Sequence, residues 1–365
     1  MKKYFLFFVC LLALNVSSFG AIISVNPGDD LQAKMNAAVA GDVLIVAGGT
    51  YATTGITFNK RLTLIGTGYL LPAGGPSSSL AIIDGFVRFT TGSDLSIMTG
   101  FTINGTVNIG ANNITFSRNN VGNTGGNLLL GFDGTAYRNT NNIVVKQCKF
   151  GGGGINVYGN IGGVIANNYQ FLNNLFDVIS ITLSHAAESS GAFVNNNFSA
   201  NLTSNSYVNF TSALGVTNLS FYNNIFGKAL FSSTGYLLTA ASYIPANFHY
   251  NVFVGNSTPE ANAPSATNLI NQTSTNIYAG WNANPQALTS DARNILKLGS
   301  PALLYGRLSP YAIGSTATDA GAYGGLEPYI TSGIPTGPYA YQISVPNVAA
   351  NNSNIQITIK AKSSN

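Results

Sequence analysis

Two basic residues, Lys146 and Arg118, have the spacing that most favours acid–base chemistry in this chain. They lie in segments 116–121 and 145–150, which repeat one pattern with starts 29 residues apart. If these segments form neighbouring strands, the two side chains are about 4.8 Å apart along the stack. A Lys or Arg side chain can remove the proton beside the carboxyl group of a uronate, and Ca²⁺ can neutralise that carboxylate. Lys146 and Arg118 are therefore candidate catalytic residues of a polysaccharide lyase, and Ca²⁺ is the expected cofactor for that activity alone.

Aromatic side chains in later segments indicate binding instead of catalysis. Tyr222, His249 and Tyr250 fall near the end of the repeated region. Sugar rings stack their C–H faces on aromatic side chains, and flat sheet faces suit polymers, so these three residues are candidates for polysaccharide binding. His249 lies four repeats beyond Lys146, about 19 Å at the spacing of paired strands, which separates it from any reaction at Lys146.

The acid pairs that other sugar chemistry requires are not found. A glycoside hydrolase uses two Asp or Glu side chains about 5–10 Å apart. The adjacent pair Asp29-Asp30 falls in a predicted helix cap, and Asp133 and Asp177 are too scattered to predict a Ca²⁺ cluster near Lys146. No metal site is predicted, and solvated surface charge is the alternative to a catalytic role for the basic pair.

Six copies of a short pattern must position these residues. Each copy has six positions: an apolar or aromatic residue, two variable residues, a residue that is usually Asn, one further variable residue, and an apolar residue. The copies are 116–121, 145–150, 171–176, 193–198, 221–226 and 248–253. A period in the twenties indicates a repeat architecture, and alternating apolar and polar residues indicate strands. Stacked coils of this kind form a parallel β-solenoid. The first residue of each copy is expected to point inward and the next one outward.

The outward positions form one predicted column on the solenoid surface. Its members are Ser117, Lys146, Leu172, Val194, Tyr222 and His249. The recurring Asn forms a second column, in which Cys148 takes the place of Asn. Asn tolerates left-handed backbone at a tight bend, and stacked amides can hydrogen-bond along a ladder. Cys148 is predicted to be a small buried residue of this ladder and not a reactive thiol.

The repeat resembles the right-handed parallel β-helix of the pectate-lyase-like superfamily, in which inward Asn ladders line one turn. Residues 27–66 resemble the N-terminal cap and first coil of such proteins, and 300–325 resembles the closing segment of secreted bacterial β-helix proteins of Bacteroidetes type. The resemblance implies that substrate would lie in a groove along one sheet, against outward side chains. The paired-Asp and His-Gly motifs of the family's polygalacturonases are missing. The superfamily includes lyases, hydrolases and adhesins, so the resemblance predicts the fold without selecting an activity.

The termini predict export and a single folded unit. Residues 1–20 have a basic start, an apolar core and small residues at the end, as in a signal peptide cleaved after Gly20. Residues 21–330 are predicted to be the β-helix domain, with a capping helix at 29–40 and an irregular C-terminal cover that closes at 300–325. The Pro-containing tail 331–365 is either a β-hairpin, pairing 341–345 with 354–360, or the start of a further domain.

The composition limits the partners. Charged residues make up only 8% of the chain, and loss of Lys2 and Lys3 with the leader would reduce the 16 basic residues to 14, against 12 acidic residues. A nearly neutral surface argues against nucleic acid or an anionic membrane as the partner. No transmembrane segment is predicted in the mature chain. The sequence predicts an all-β, right-handed parallel β-helix, secreted or held at the cell surface, that binds polysaccharide or a cell-surface component; the lyase using Lys146 and Arg118 is the alternative.

Overall fold

Alternation of apolar and polar side chains makes short strands along most of the chain, and in the computed structural model these strands stack as three long parallel sheets. The structure describes residues 20–51, 54–70, 79–122, 125–159, 163–177, 180–185, 188–198, 209–212, 218–226, 248–254, 267–280, 289–308, 315–331, 333–334, 337–344 and 358–364. The architecture confirms the predicted all-β parallel β-helix. The predicted signal peptide lies, apart from Gly20, outside the described residues.

Most coils contribute one strand to each sheet in turn. The first sheet contains Ile22–Val25, Val43–Val46, Thr63–Ile65, Ile97–Thr99, Thr115–Ser117, Val144–Lys146, Tyr169–Leu172, Gly191–Val194, Leu219–Tyr222 and Phe248–His249. The second contains Gly49–Tyr51, Ala81–Ile83, Thr102–Ile103, Asn120–Val121, Lys149–Phe150, Leu175–Phe176, Asn197–Phe198, Ile225–Phe226, Val252–Val254 and Leu269–Gln272. The third contains Gly55–Phe58, Phe86–Phe89, Val107–Ile109, Leu128–Leu130, Gly154–Gly159, Ser180–His185 and Asn209–Ser212.

The remaining described elements are small. Three two-stranded sheets pair Thr140–Asn141 with Ala166–Asn167, Gly306–Arg307 with Ala317–Thr318, and Gly337–Ser344 with Thr358–Ser364. The first pair is parallel and the other two are antiparallel. The tail therefore holds a two-stranded antiparallel pair, which overlaps the strands predicted at 341–345 and 354–360. Three short helices span Leu31–Ala37, Ser274–Ile277 and Ser290–Arg293.

The register of the first sheet aligns the predicted outer column. Successive partners in the ladder are Ser117, Lys146, Leu172, Val194, Tyr222 and His249. The residues that precede them, Phe116, Val145, Phe171, Phe193, Phe221 and Phe248, are all buried. The rings of the last four stack from coil to coil, with centroids 4.7 Å apart for Phe171 and Phe193. The burial of these residues confirms the predicted inward and outward positions. The stacked rings pack successive coils against one another.

The Asn column is buried and hydrogen-bonded as a ladder. The side chain of Asn174 donates to Oδ1 of Asn196 at 3.0 Å, and that of Asn196 donates to Oδ1 of Asn224 at 3.0 Å. Cys148 occupies its rung with its side chain buried, and burial raises the pKa of its thiol to about 12. The prediction of a structural cysteine agrees with this environment, because a buried thiol that keeps its proton is a poor nucleophile.

The residue before each ladder position adopts the left-handed backbone conformation that makes the bend. The residues with positive φ there are Arg118, Gln147, Asn173, Asn195, Asn223 and Tyr250, with φ between 52° and 57°. The ladder Asn was expected to serve both as the left-handed residue and as the ladder, and the structure divides these tasks between adjacent columns. The positive-φ residues are called the turn column below. Their side chains lie on the outside of the bend between the first and second sheets.

The N-terminal end of the solenoid is closed by the helix Leu31–Ala37. Asp30 caps it by accepting a hydrogen bond from the backbone N–H of Ala33 at 3.0 Å, and Leu31 and Met35 are buried against the first coils. The helix is shorter than the predicted 29–40 because Ala38 adopts an extended conformation, with ψ of 152°. A capped helix here covers strand edges that would otherwise be open to other chains.

A C-terminal segment, called the strap below and described for residues 315–331 and 333–334, runs down the turn column. Its order along the chain is opposite to that of the coils: Gly321 donates its N–H to the carbonyl of Asn223, and further along the strap the carbonyl of Ile334 accepts from Arg118. The closing segment predicted at 300–325 thus continues to 334. The strap lies along the edge of the first sheet, where it borders the outer column.

Candidate functional site

A groove of about 580 Å³ lies on the outer face of the first sheet, beside the strap. Its floor comes from successive coils and its wall from the strap. The floor residues are Thr63, Ile65, Ile97, Thr99, Thr115, Ser117, Arg118, Lys146 and Gln147, and the wall residues are Leu326, Glu327, Pro328, Tyr329 and Ile330. The predicted catalytic pair, Lys146 and Arg118, lines this groove.

The floor combines hydroxyl groups with branched apolar side chains. One outward column of the sheet carries Thr63, Ile97 and Thr115 in register, and the neighbouring column carries Ile65, Thr99 and Ser117. Each coil therefore presents at least one hydroxyl group to the groove, and two of the three coils present an isoleucine as well. Outward positions of a half-exposed strand favour Thr and Ile because β-branched side chains fit the pleated surface. A surface of this composition can hydrogen-bond a ligand and also cover its apolar faces.

Lys146 closes the upper end of the groove. Its Nζ contacts Oε2 of Glu327, on the strap, at 2.6 Å. The lysine and glutamate side chains are 27% and 59% exposed, so this ion pair contributes only about 0–1 kcal/mol to stability. Both charges are engaged with each other across the groove, between its floor and its wall.

Arg118 is buried and bonded within the protein. Its Nε donates to Oε1 of Gln147 at 2.7 Å, and its Nη1 donates to the carbonyl of Ile334 at 2.5 Å. Burial lowers the pKa of its guanidinium from the ordinary value, while the nearby charge of Glu327 opposes that shift. The residue that pairs with Lys146 in the outer column is Ser117, and Arg118 lies at the adjacent bend. The two predicted catalytic residues thus border one groove in different ways, since Arg118 holds the turn and the strap.

The acids considered near Lys146 lie elsewhere. Asp133 forms an ion pair with Arg138 at 2.7 Å, and Asp177 pairs with Arg293 at 3.4 Å. Among the residues that the structure describes, no group of three or more His, Cys, Asp or Glu side chains is arranged to hold a metal ion. Glu327 is the one carboxylate among the groove-lining residues.

The predicted binding residues meet at the upper end of the first sheet. The ring of Tyr222 stacks on His249 with centroids 5.8 Å apart, and Nδ1 of His249 lies 3.1 Å from Oγ1 of Thr267. Tyr222 is only 3% exposed. Tyr250 is in the turn column, where Tyr305 contacts its ring edge-on and Arg307 lies 5.2 Å from its centroid. These aromatic side chains form two ring contacts, and of the three predicted residues His249 and Tyr250 keep partial exposure.

The strap side of the groove was not predicted from sequence. Leu326 is 81% exposed at the rim, and Glu327 reaches Lys146 from 181 residues away along the chain. The segment around these residues has no repeat and no alternation, so local pattern carries no information about its partner. The one sequence feature that could have indicated a covering segment is the turn column, where amide side chains recur next to the ladder.

Comparison of the chain with protein-family models, with curated proteins and with solved structures found no match. No helix in the described part of the chain is long and apolar enough to cross a membrane.

Proposed function

We propose that this protein is an exported, non-catalytic β-helix of the pectate-lyase-like type that binds an extracellular or cell-surface polysaccharide in the groove of its first sheet. The observation that carries the proposal is the groove floor, in which Thr63, Ile97 and Thr115 form one line and Ile65, Thr99 and Ser117 another. Pyranose rings have the same mixture, with C–H faces that need apolar contact and hydroxyl groups that need hydrogen-bond partners.

The charge of the groove favours a neutral or weakly charged polymer. Lys146 and Glu327 are paired with each other, and Arg118 donates to groups of the protein. A strongly anionic chain would be attracted by unpaired basic side chains along the floor, and the described floor offers Thr, Ser and Ile there instead. The low overall charge of the chain supports the same ligand class.

The stacking of coils favours an extended chain that lies along the solenoid axis. Each of the three coils of the floor presents a hydroxyl group, two of them present an isoleucine as well, and successive coils are about 4.8 Å apart. An extended polysaccharide also presents equivalent groups at regular intervals, so several sugar units can make similar contacts on successive coils. Weak contacts of this kind add up along a polymer.

Substitution of Ile97 by glutamate tests this proposal. Ile97 is 37% exposed on the groove floor, so the variant should fold normally. A carboxylate there would remove an apolar contact and would itself be desolvated by a bound sugar, so we expect about a tenfold loss of affinity, equivalent to about 1.4 kcal/mol. The measurement is binding of the mature protein to a panel of neutral and uronate polysaccharides, followed by titration calorimetry with the best ligand.

The matched control is Ile295→Glu, a comparably exposed isoleucine (48%) that does not line the groove. It should bind like the unmodified protein. Equal losses in both variants, or no loss in Ile97→Glu, would contradict binding in the groove.

A polysaccharide lyase is the second candidate function, favoured by the position of Lys146 and Arg118 on one groove. In that case Lys146 would be the base, and Glu327 would have to move away before a uronate could approach. The test is ultraviolet detection of unsaturated products from uronate polymers, with and without Ca²⁺. Product formation that disappears in Lys146→Ala would establish the lyase and overturn the non-catalytic proposal.

A further inference from the structure

The turn column binds the strap through its main chain. Four side chains of the column donate hydrogen bonds to strap carbonyls. The bonds run from Asn195 to Asp319 and Gly321, from Asn173 to Ala322 and Gly324, from Gln147 to Glu327 and Pro328, and from Arg118 to Ile334. The acceptors are all backbone carbonyls. The column thus holds the strap through its main-chain carbonyls.

These contacts take the place of sheet pairing. Among the described residues, the strap forms a ladder with the rest of the chain only at Ala317–Thr318, which pairs with Gly306–Arg307. Below that point its described carbonyls need other donors, because buried carbonyls without a partner are costly. Amide side chains of the turn column donate to two carbonyls for each of Asn195, Asn173 and Gln147. The carbonyls of Gly321 and Ala322 also accept from N–H groups within the strap.

The lower part of the strap is also the wall of the groove. Gln147 donates at 2.6 Å to the carbonyl of Pro328 and at 3.1 Å to that of Glu327. The same two strap residues border the groove, and the Glu327 side chain reaches Lys146. Release of Glu327 and Pro328 from Gln147 would therefore remove the wall of the groove and at the same time separate Glu327 from Lys146.

We propose that the groove is a composite site, which exists only while the strap is docked on the turn column as a peptide ligand of its own chain, and that Gln147 is the positioning residue that sets its wall. Undocking of residues 326–330 opens the groove on one side and frees Lys146. Docking therefore controls ligand binding without any change in the coils. This inference rests on the proposed function for its ligand, and its structural part stands on the strap contacts alone.

The test compares Gln147→Ala with Asn223→Ala in the full chain. Both residues have positive φ, 54° and 55°, so the backbone cost of alanine is the same. Both lie in the turn column, but the Asn223 side chain bonds Arg307 and Asn195, at the upper end and away from the groove. Glu327→Gln is a third variant, which removes the ion pair and leaves the carbonyl contacts of the strap in place.

Two readouts need no polysaccharide. Hydrogen exchange of peptides covering 315–334 reports opening of the strap, in which the N–H of Tyr329 is bonded to the carbonyl of Ala322, itself held by Asn173 of the turn column. The rate of Lys146 acetylation, compared with that of Lys34 in the capping helix, reports separation from Glu327. For Gln147→Ala we expect about tenfold faster exchange at 326–330 and faster labelling of Lys146, with Asn223→Ala unchanged at both sites. Glu327→Gln should label faster without faster exchange.

Polysaccharide affinity is the third readout and separates the two proposals. A tenfold loss in Gln147→Ala, with Asn223→Ala unaffected, is the expected result. Unchanged exchange and labelling in Gln147→Ala would overturn the docking role of Gln147, and a released strap with unchanged affinity would overturn the composite groove. If the unmodified protein binds no polysaccharide, the proposed function fails, while exchange and labelling still decide whether Gln147 holds the wall.

Discussion

Replacing Asn196 by alanine is expected to lower the free energy of unfolding by about 3 kcal/mol, because it interrupts the buried ladder at its centre. Oδ1 of Asn196 accepts from the backbone N–H of Asn174 at 2.9 Å and from its side-chain amide at 3.0 Å. Its Nδ2 donates to the carbonyl of Phe171 at 2.8 Å and to Oδ1 of Asn224. Alanine would leave a buried backbone donor and a buried carbonyl without these partners, in a site that water does not reach.

The substitution Cys148→Asn is the matched change in the opposite direction. At this rung the N–H of Asn119 meets the sulfur of Cys148 at 3.5 Å, and that sulfur lies 3.5 Å from the carbonyl of Phe116. These are weak bonds in the positions where other rungs have amide contacts of about 2.9 Å. Asparagine would restore both bonds and extend the ladder to Asn174, so we expect a gain of about 1 kcal/mol.

Urea unfolding of the two variants beside the unmodified protein measures both effects. Opposite signs are the expected outcome. A loss of stability in both would show that the fit of each rung matters more than its hydrogen bonds, and a change below about 0.5 kcal/mol for Asn196→Ala would contradict the ladder as a main source of stability.

The coils and their outer column could be predicted because they depend on local pattern. Alternation along a strand decides which side chain points inward, and a repeat of the pattern decides which residues stack. Thus Ser117, Lys146 and Leu172 align as expected from their places in the repeat. The ladder followed from the recurrence of Asn and from the placement of Cys148 in the same column.

The division of work at the bend was harder to predict, because it depends on backbone angles of adjacent residues. The residue before each ladder position is Asn in three of the six copies, but Arg118, Gln147 and Tyr250 occupy the others. Gln and Arg have no special preference for positive φ, so the column was not recognised from residue type. Four of its six side chains share one partner, the strap.

The groove wall could not be predicted because its contacts join distant parts of the chain without periodicity. Gln147 meets Pro328 from 181 residues away, and Asn173 meets Gly324 from 151. Aromatic residue types alone also do not identify the exposed part of this sheet face. Tyr222 faces outward as predicted, yet it is buried, whereas the open part of the same sheet face carries Thr and Ile side chains. Exposure depends on what covers a strand, and the strand's own pattern does not contain that information.

Replacing Asp291 by alanine is expected to cost about 3–5 kcal/mol and to loosen the strap, because Asp291 joins the strap to the solenoid. Its Oδ1 accepts from the hydroxyl of Tyr329 at 2.5 Å, and its Oδ2 lies 3.5 Å from Nζ of Lys149. The hydroxyl of Tyr329 also accepts from that of Tyr69. Burial raises the pKa of Tyr329 well above its ordinary value, and its contacts with Tyr69 and Asp291 act in the same direction, so the phenol remains a donor.

Burial, and not the presence of an ion pair, sets the size of this effect. The Lys149 and Asp291 side chains are 19% and 4% exposed, and removal of the carboxylate leaves a largely buried ammonium group and a buried hydroxyl without their acceptor. The control is Glu327→Ala, which breaks the exposed pair with Lys146 on the same strap and should cost no more than about 1 kcal/mol. Urea unfolding gives both values, and hydrogen exchange at 315–334 shows whether Asp291→Ala frees the strap before the coils unfold. Equal costs for the two variants would mean that the strap adds little to stability at Tyr329, and would place its attachment in the turn column alone.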